Sequence, residues 1–223
     1  MLLAGLAFLP LAGAAGEVSG VATLTSEYIH HGQAMSDGNP AVQLRLDYEN
    51  NAGFFAGAWV STVDLPNPGG RRDTELDFYV GYHYATDSPL SLAATLIRYT
   101  YPGQTGFIDY DYTQAVVTAA LYERYSVEFG YSPEIYGFDA AGQYWEFRGD
   151  WPLQSGWVLG AGLGEKDLSE LGGNRYLYWD VGASARFSSV MVDLRWYDNE
   201  RIGGFLRRLS AGSQFVVSLS LPF

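Results

Sequence analysis

Residues 213–223 read Ser-Gln-Phe-Val-Val-Ser-Leu-Ser-Leu-Pro-Phe (SQFVVSLSLPF), with Phe215, Val217, Leu219, Leu221 and Phe223 at every second position. Gln214, Ser218 and Ser220 fall between them, and Val216 is the exception. A period of two is the side-chain repeat of a β-strand, so the two sets lie on opposite faces. A terminus that nothing holds is usually polar and ragged. This one reads as a strand built into a sheet.

The same period runs back through the chain. Val42, Leu44, Leu46 and Tyr48 interleave with Gln43, Arg45, Asp47 and Glu49, and Leu76, Phe78, Val80, Tyr82 and Tyr84 with Glu75, Asp77 and His83. Leu177, Trp179, Val181, Ala183, Ala185 and Phe187 oppose Asp180, Ser184 and Arg186, while Val190, Val192, Leu194 and Trp196 oppose Asp193 and Arg195. Twelve strands are expected, over 18–28, 40–49, 53–63, 73–85, 89–99, 109–121, 124–132, 143–151, 156–163, 175–187, 189–197 and 211–223. The segments 109–121 and 156–163 carry the weakest signal and leave ten or fourteen open. Short connections such as Asn50-Asn51-Ala52 and Thr86-Asp87-Ser88 alternate with long ones such as IHHGQAMSDGN, GEKDLSELGGN and DNERIGGFLRRLS. Strict alternation of turn and loop predicts an all-β, antiparallel up-and-down barrel.

Periodicity does not say whether the apolar face points in or out. Three features point to lipid. The strands match the roughly 9–11 residues that cross a bilayer, aromatics gather near strand ends, and the expected strand count is even. Cysteine is absent, which removes disulfides and thiol chemistry. A formal charge of −12 argues against nucleic acid as a partner. Residues 1–15, an apolar run with Ala12-Gly13-Ala14, read as an export leader, although no Lys or Arg opens it and the start codon is expected upstream. Residues 16–223 then form a single barrel domain.

In lipid the charged face must turn inward, since Arg near the midplane of the outer face costs about 2–4 kcal/mol. The expected lumen-lining residues are Arg45, Asp47, Glu49, Glu75, Asp77, Glu128, Glu146, Arg148, Asp150, Asp180, Arg186, Asp193 and Arg195. Their acidic excess suits passage of small cations or cationic solutes. The alternative is an interior filled by paired charges, because twelve strands fall between barrels that side chains fill and barrels that hold water. His30, His31 and His83 make no metal set by spacing, and the first two read as exposed loop residues pointing to opposite faces. No metal, cofactor or catalytic residue follows, and without a Gly-x-Ser-x-Gly elbow a lipid hydrolase is a distant reading. Arg201, Arg207 and Arg208 form a basic patch that could meet lipopolysaccharide phosphates, or be simply solvated.

Residues 17–64 resemble the opening of a proteobacterial family of TorF-type porins, formerly a family of unknown function. The matching pieces are SGVATLTSEY, SDGNPAVQ, LDY and GFFAGAWVSTVD, joined later by ELDFYVGY at 75–82, YPG at 101–103 and DY at 109–110. One departure is His30-His31, where the family carries an aromatic and an Arg. The resemblance implies a barrel in the outer membrane of a Gram-negative bacterium and a pore-like role. The closing stripe of Phe215, Val217, Leu219, Leu221 and Phe223 similarly resembles the C-terminal signal read by the barrel assembly machinery.

Overall fold

Strands with one apolar and one polar face need every backbone group paired, and a closed ladder achieves this without edges. The computed structural model describes residues 16–65, 73–86, 88–103 and 109–223. The expected leader, residues 1–15, lies outside them. The strands are β1 (Glu17–Thr25), β2 (Ile29–His30), β3 (Gln33–Ala34), β4 (Ala41–Glu49), β5 (Phe54–Val63), β6 (Asp73–Ala85) and β7 (Leu90–Thr100). They continue with β8 (Tyr112–Leu121), β9 (Tyr125–Ser132), β10 (Gly142–Pro152), β11 (Trp157–Asp167), β12 (Arg175–Phe187), β13 (Val190–Asn199) and β14 (Gln214–Pro222). β1 and β4 to β14 close into a twelve-stranded antiparallel barrel, while β2 and β3 form a separate hairpin.

The C-terminal stretch is the seam. β14 pairs with β13 on one side and with β1 on the other, with Leu24 opposite Leu219 and Val21 opposite Pro222. Phe223 and Gly20 exchange backbone hydrogen bonds of 2.8 and 2.9 Å. The Phe223 ring lies over Gly20, where a Cβ would sit 2.5 Å from the ring.

Exposure is the reverse of a soluble protein's. Leu44, Leu46 and Tyr48 on β4, Phe78, Val80 and Tyr82 on β6, and Phe215, Val217, Leu219 and Leu221 on β14 are exposed on the outer surface, whereas Glu75 and Asp77 are 0% exposed on the inner one. Such a belt suits hydrocarbon rather than water. Among the described residues no helix is long and apolar enough to cross a membrane.

Several strand ends differ from expectation, among them the start of β14, at Gln214 rather than residue 211. β1 stops at Thr25 rather than residue 28, because the chain turns into the barrel there. β8 begins at Tyr112, since Asp109 and Asp111 cap the loop: Asp111 Oδ1 accepts from Tyr101 N at 2.8 Å and Asp109 Oδ1 from Asp111 N at 3.0 Å. β11 runs on to Asp167, because Lys166 and Asp167 keep pairing with Tyr176 and Arg175, so the first four residues of GEKDLSELGGN are strand.

Candidate functional site

The connection from β1 to β4 folds inward. Its apolar residues, Tyr28, Ile29 and Met35, are buried together with His30, Gln33 and Ser36. The tight hairpin of β2 and β3 turns through His31 and Gly32, both left-handed at φ 49° and 74°. At Gly32 a Cβ would lie 2.9 Å from Tyr178 Cβ, so glycine is required by space as well as by conformation. The loop holds its own shape: Ser36 Oγ accepts from Tyr28 N at 2.9 Å and donates to Asn39 O at 2.7 Å, and Glu27 Oε1 accepts from Gly38 N at 2.8 Å.

This loop reaches several walls of the barrel at its loop end. Tyr28 donates to Glu75 Oε1 on β6 at 3.4 Å and sets its ring 5.2 Å from Trp59 on β5. The His31 ring lies 4.0 Å from Tyr144 on β10, and Tyr176 on β12 donates to the His31 carbonyl at 3.0 Å. Gln33 Oε1 accepts from Lys166 Nζ on β11 and from Tyr136 OH, each at 2.7 Å. The segment is therefore a constriction within the lumen. His30 is buried in it and His31 is partly buried, so neither is an exposed loop residue, and their rings lie 4.0 Å apart instead of pointing to opposite faces, because the left-handed turn at His31 breaks the extended geometry. Burial holds both imidazoles well below the usual histidine range, with the charge of Lys166 adding to it.

Charged residues of the inner face group into distinct sets. Asp180 on β12 receives Arg148 Nη2 from β10 at 2.8 Å and Arg195 Nη1 from β13, while Arg148 also meets Glu146 at 3.2 Å and Arg195 meets Asp193 at 3.1 Å. Room for the guanidinium groups comes from β11, where a Cβ on Gly162 would sit 2.7 Å from Arg148 Nη2 and one on Gly160 2.7 Å from Asp150 Oδ1. On the far wall Arg45 pairs with Asp47 at 2.7 Å, and Tyr79 donates to the same carboxylate. Glu128 accepts from Tyr144 and Thr118. Asp77, fully buried, has neither carboxylate oxygen hydrogen-bonded among the described residues. Near the turn end, Glu49 lies 3.8 Å from His83, and Arg186 is exposed with Met191 as its partner.

The residues that sequence reasoning missed are Gln33, Tyr136 and Lys166, together with an aromatic wall of Tyr99, Tyr112, Tyr144 and Tyr178. Tyr99 and Tyr112 stack at 4.3 Å. One available signal was Ile29 and Met35 inside a loop assumed to be solvated, next to Tyr28 at the expected end of the first strand. Another was the period-two glycine run Gly160, Gly162 and Gly164.

The profile of a family described as a bacterial protein of unknown function (Gcw_chp) matches residues 12–203. No curated protein matches the chain by sequence. Among solved structures, the NanC porin aligns at TM-score 0.58 and 9% identity, covering 93% of this chain and 99% of that one. The KdgM porin in complex with disordered oligogalacturonate aligns at 0.57 and 10%, covering 94% and 99%. An outer-membrane channel from Pseudomonas putida F1 aligns at 0.52 and 12%, covering 95% and 96%. These neighbours are channels rather than enzymes, and at such identities the likeness is one of fold.

Proposed function

The chain belongs to the Gcw_chp family of bacterial proteins of unknown function, and from that premise we propose that it is a TorF-type porin of the Gram-negative outer membrane. In this reading it passes small neutral or cationic solutes through a lumen narrowed by its own first long loop. The observation that carries the reading is the inversion of the two faces, with exposed leucines and aromatics outside and charge inside. The surrounding lipid, including lipopolysaccharide, and the barrel assembly machinery are its partners, the latter reading the stripe that ends at Phe223.

The direction of selectivity follows from charge. Asp47, Glu49, Glu75, Asp77, Glu128, Glu146, Asp150, Asp180 and Asp193 face Arg45, Arg148, Lys166, Arg186 and Arg195 across the lumen. Arg148 and Arg195 are already neutralised by Asp180, Glu146 and Asp193. An acidic polymer such as the oligogalacturonate held by the KdgM porin would meet net repulsion here, so the solute class differs although the fold is shared. The reversal potential of a reconstituted bilayer under a KCl gradient tests this. It should have the sign of potassium preference, and chloride preference would overturn the reading.

The inserted loop gives weight to a second reading, a barrel whose lumen stays closed and whose role is structural. The two differ in whether the loop can leave its seat.

A further inference from the structure

The loop between β13 and β14 carries Arg201, Arg207 and Arg208, and among the described residues none of them lies within 4.0 Å of a carboxylate. In contrast, Arg45, Arg98, Arg148, Arg175 and Arg195 each have an acidic partner, while Arg124 and Arg186, which have none among the described residues, lie at different turns and form no cluster in one loop. Three unneutralised guanidinium groups in one loop of a chain with net charge −12 call for an anion from outside.

The loop shapes a place for one. A cavity of about 420 Å³ is lined by Asn199, Arg201, Arg207, Ser210 and Gly212. Its rim is fixed by Asn199, whose Nδ2 donates to Ser210 Oγ at 3.0 Å and whose Oδ1 accepts from Gly212 N at 2.7 Å. Asn174 Nδ2 donates to the Arg201 carbonyl at 3.3 Å. Ile202, Leu206 and Leu209 are buried beside the arginines and pin the backbone, while Arg201, Arg207 and Arg208 are exposed. The charged groups are thus presented by an anchored segment.

Position selects the ligand. Asn199 ends β13, and Gly212 stands two residues before β14. Trp196, three residues before Asn199, and Phe215, three after Gly212, face each other across the ladder, exposed on the outer surface at 41% and 57%. Aromatics so placed mark the edge of the hydrocarbon layer. The cavity therefore sits at headgroup level on the side of the long loops. Guanidinium groups there match phosphate oxygens in a two-pronged geometry, and the volume suits a phosphorylated sugar better than a bare ion.

We propose that this cavity binds a phosphate group of the outer-leaflet glycolipid, lipopolysaccharide, through Arg201 and Arg207. The proposal rests on the outer-membrane reading above and adds a specific lipid site to it.

The test uses full-length protein refolded from inclusion bodies into detergent, free of native lipid, with bound lipid counted by native mass spectrometry. Probes are bisphosphorylated lipid A, chemically dephosphorylated lipid A and inorganic phosphate. The wild type should retain the bisphosphorylated form preferentially, and the R201Q/R207Q variant should bind it about tenfold more weakly. R98Q, altered at an arginine that already has a carboxylate partner, should bind as the wild type does. Equal retention of the two lipids, or equal binding by wild type and R201Q/R207Q, would overturn the site. Competition by inorganic phosphate as strong as that by lipid A would make it a site for free anions and overturn the lipid assignment. A barrel that conducts in bilayers yet shows no lipid preference would lose only this site, whereas failure to insert at all would remove the outer-membrane reading itself.

Discussion

Lys166 Nζ on β11 donates to Gln33 Oε1 of the inserted hairpin at 2.7 Å, although 133 residues separate them in the chain. Both side chains are buried, and Tyr136 OH joins them, donating to Gln33 and accepting from Lys166 at 3.2 Å. A buried hydrogen bond of this kind contributes about 0.5–1.5 kcal/mol. Lys166→Met should remove it while filling similar volume. The loop should then leave its seat more often, with open-state occupancy in single-channel records rising about tenfold. An unchanged record would mean that this tether does not hold the loop.

Asp180 is shared by Arg148 and Arg195, with its side chain only 4% exposed. Replacing it by Leu leaves two buried cations with one carboxylate each, Glu146 for Arg148 and Asp193 for Arg195, and losing one member of such a set costs about 3–5 kcal/mol. Urea unfolding in detergent should show the loss for Asp180→Leu. Adding Arg148→Met and Arg195→Met together should recover part of it, because the two buried guanidinium groups go with their shared carboxylate, while Glu146 and Asp193, which lose their partners, limit the recovery. Additive losses across the three changes would contradict the cluster account.

The hairpin should also respond to acid. His30 and His31 are held below their ordinary range by burial, so the seated loop keeps them neutral. The displaced loop exposes them to water and takes up protons below about pH 6.5, the usual imidazole value. Stability of the seated state is therefore full above that pH and falls as pH drops through it. Lys166 on β11 opposes protonation of both rings and Arg148 on β10 that of His31. The tyrosines at 28, 99, 144, 176 and 178 border the two histidines without charge. Conductance should rise between pH 7 and pH 5, and H30Q/H31Q should flatten that rise. A wild-type current that is level or falling across this range would refute it.

At the seam, deleting Phe223 removes its two backbone bonds to Gly20 and the ring that covers it. The deletion should lower the fraction of folded, heat-modifiable barrel in outer-membrane preparations while exported chain remains detectable. Gly20→Val, which collides with the same ring, should give a milder version of that defect. Normal assembly of the Phe223 deletion would detach the closing stripe from any assembly role.

Strand pattern was legible because it depends on neighbours two apart, and the lipid belt and the charged inner face are both written at that spacing. Val42 to Glu49 needed no tertiary information. Loop 26–39 was not legible in the same way, since its course depends on Lys166, Tyr144 and Glu75 from distant strands. His30 and His31 look like ordinary surface residues until those walls close around them. Gly160 and Gly162 likewise acquire a reason only when Arg148, Asp150 and Asp180 arrive from neighbouring strands. Contacts between remote segments leave no period in the sequence, whereas apolar residues such as Ile29 and Met35 in a presumed loop are a local sign that burial awaits.

The central claim, a membrane channel narrowed by its own first loop, is tested most directly by single-channel recording. Wild-type protein would be compared with a variant in which residues 27–38 are replaced by a short Gly-Ser linker. Both should insert as folded barrels, the wild type giving small, cation-preferring steps and the variant clearly larger ones. Folded, inserted barrels of both forms that show no conductance steps would contradict the account.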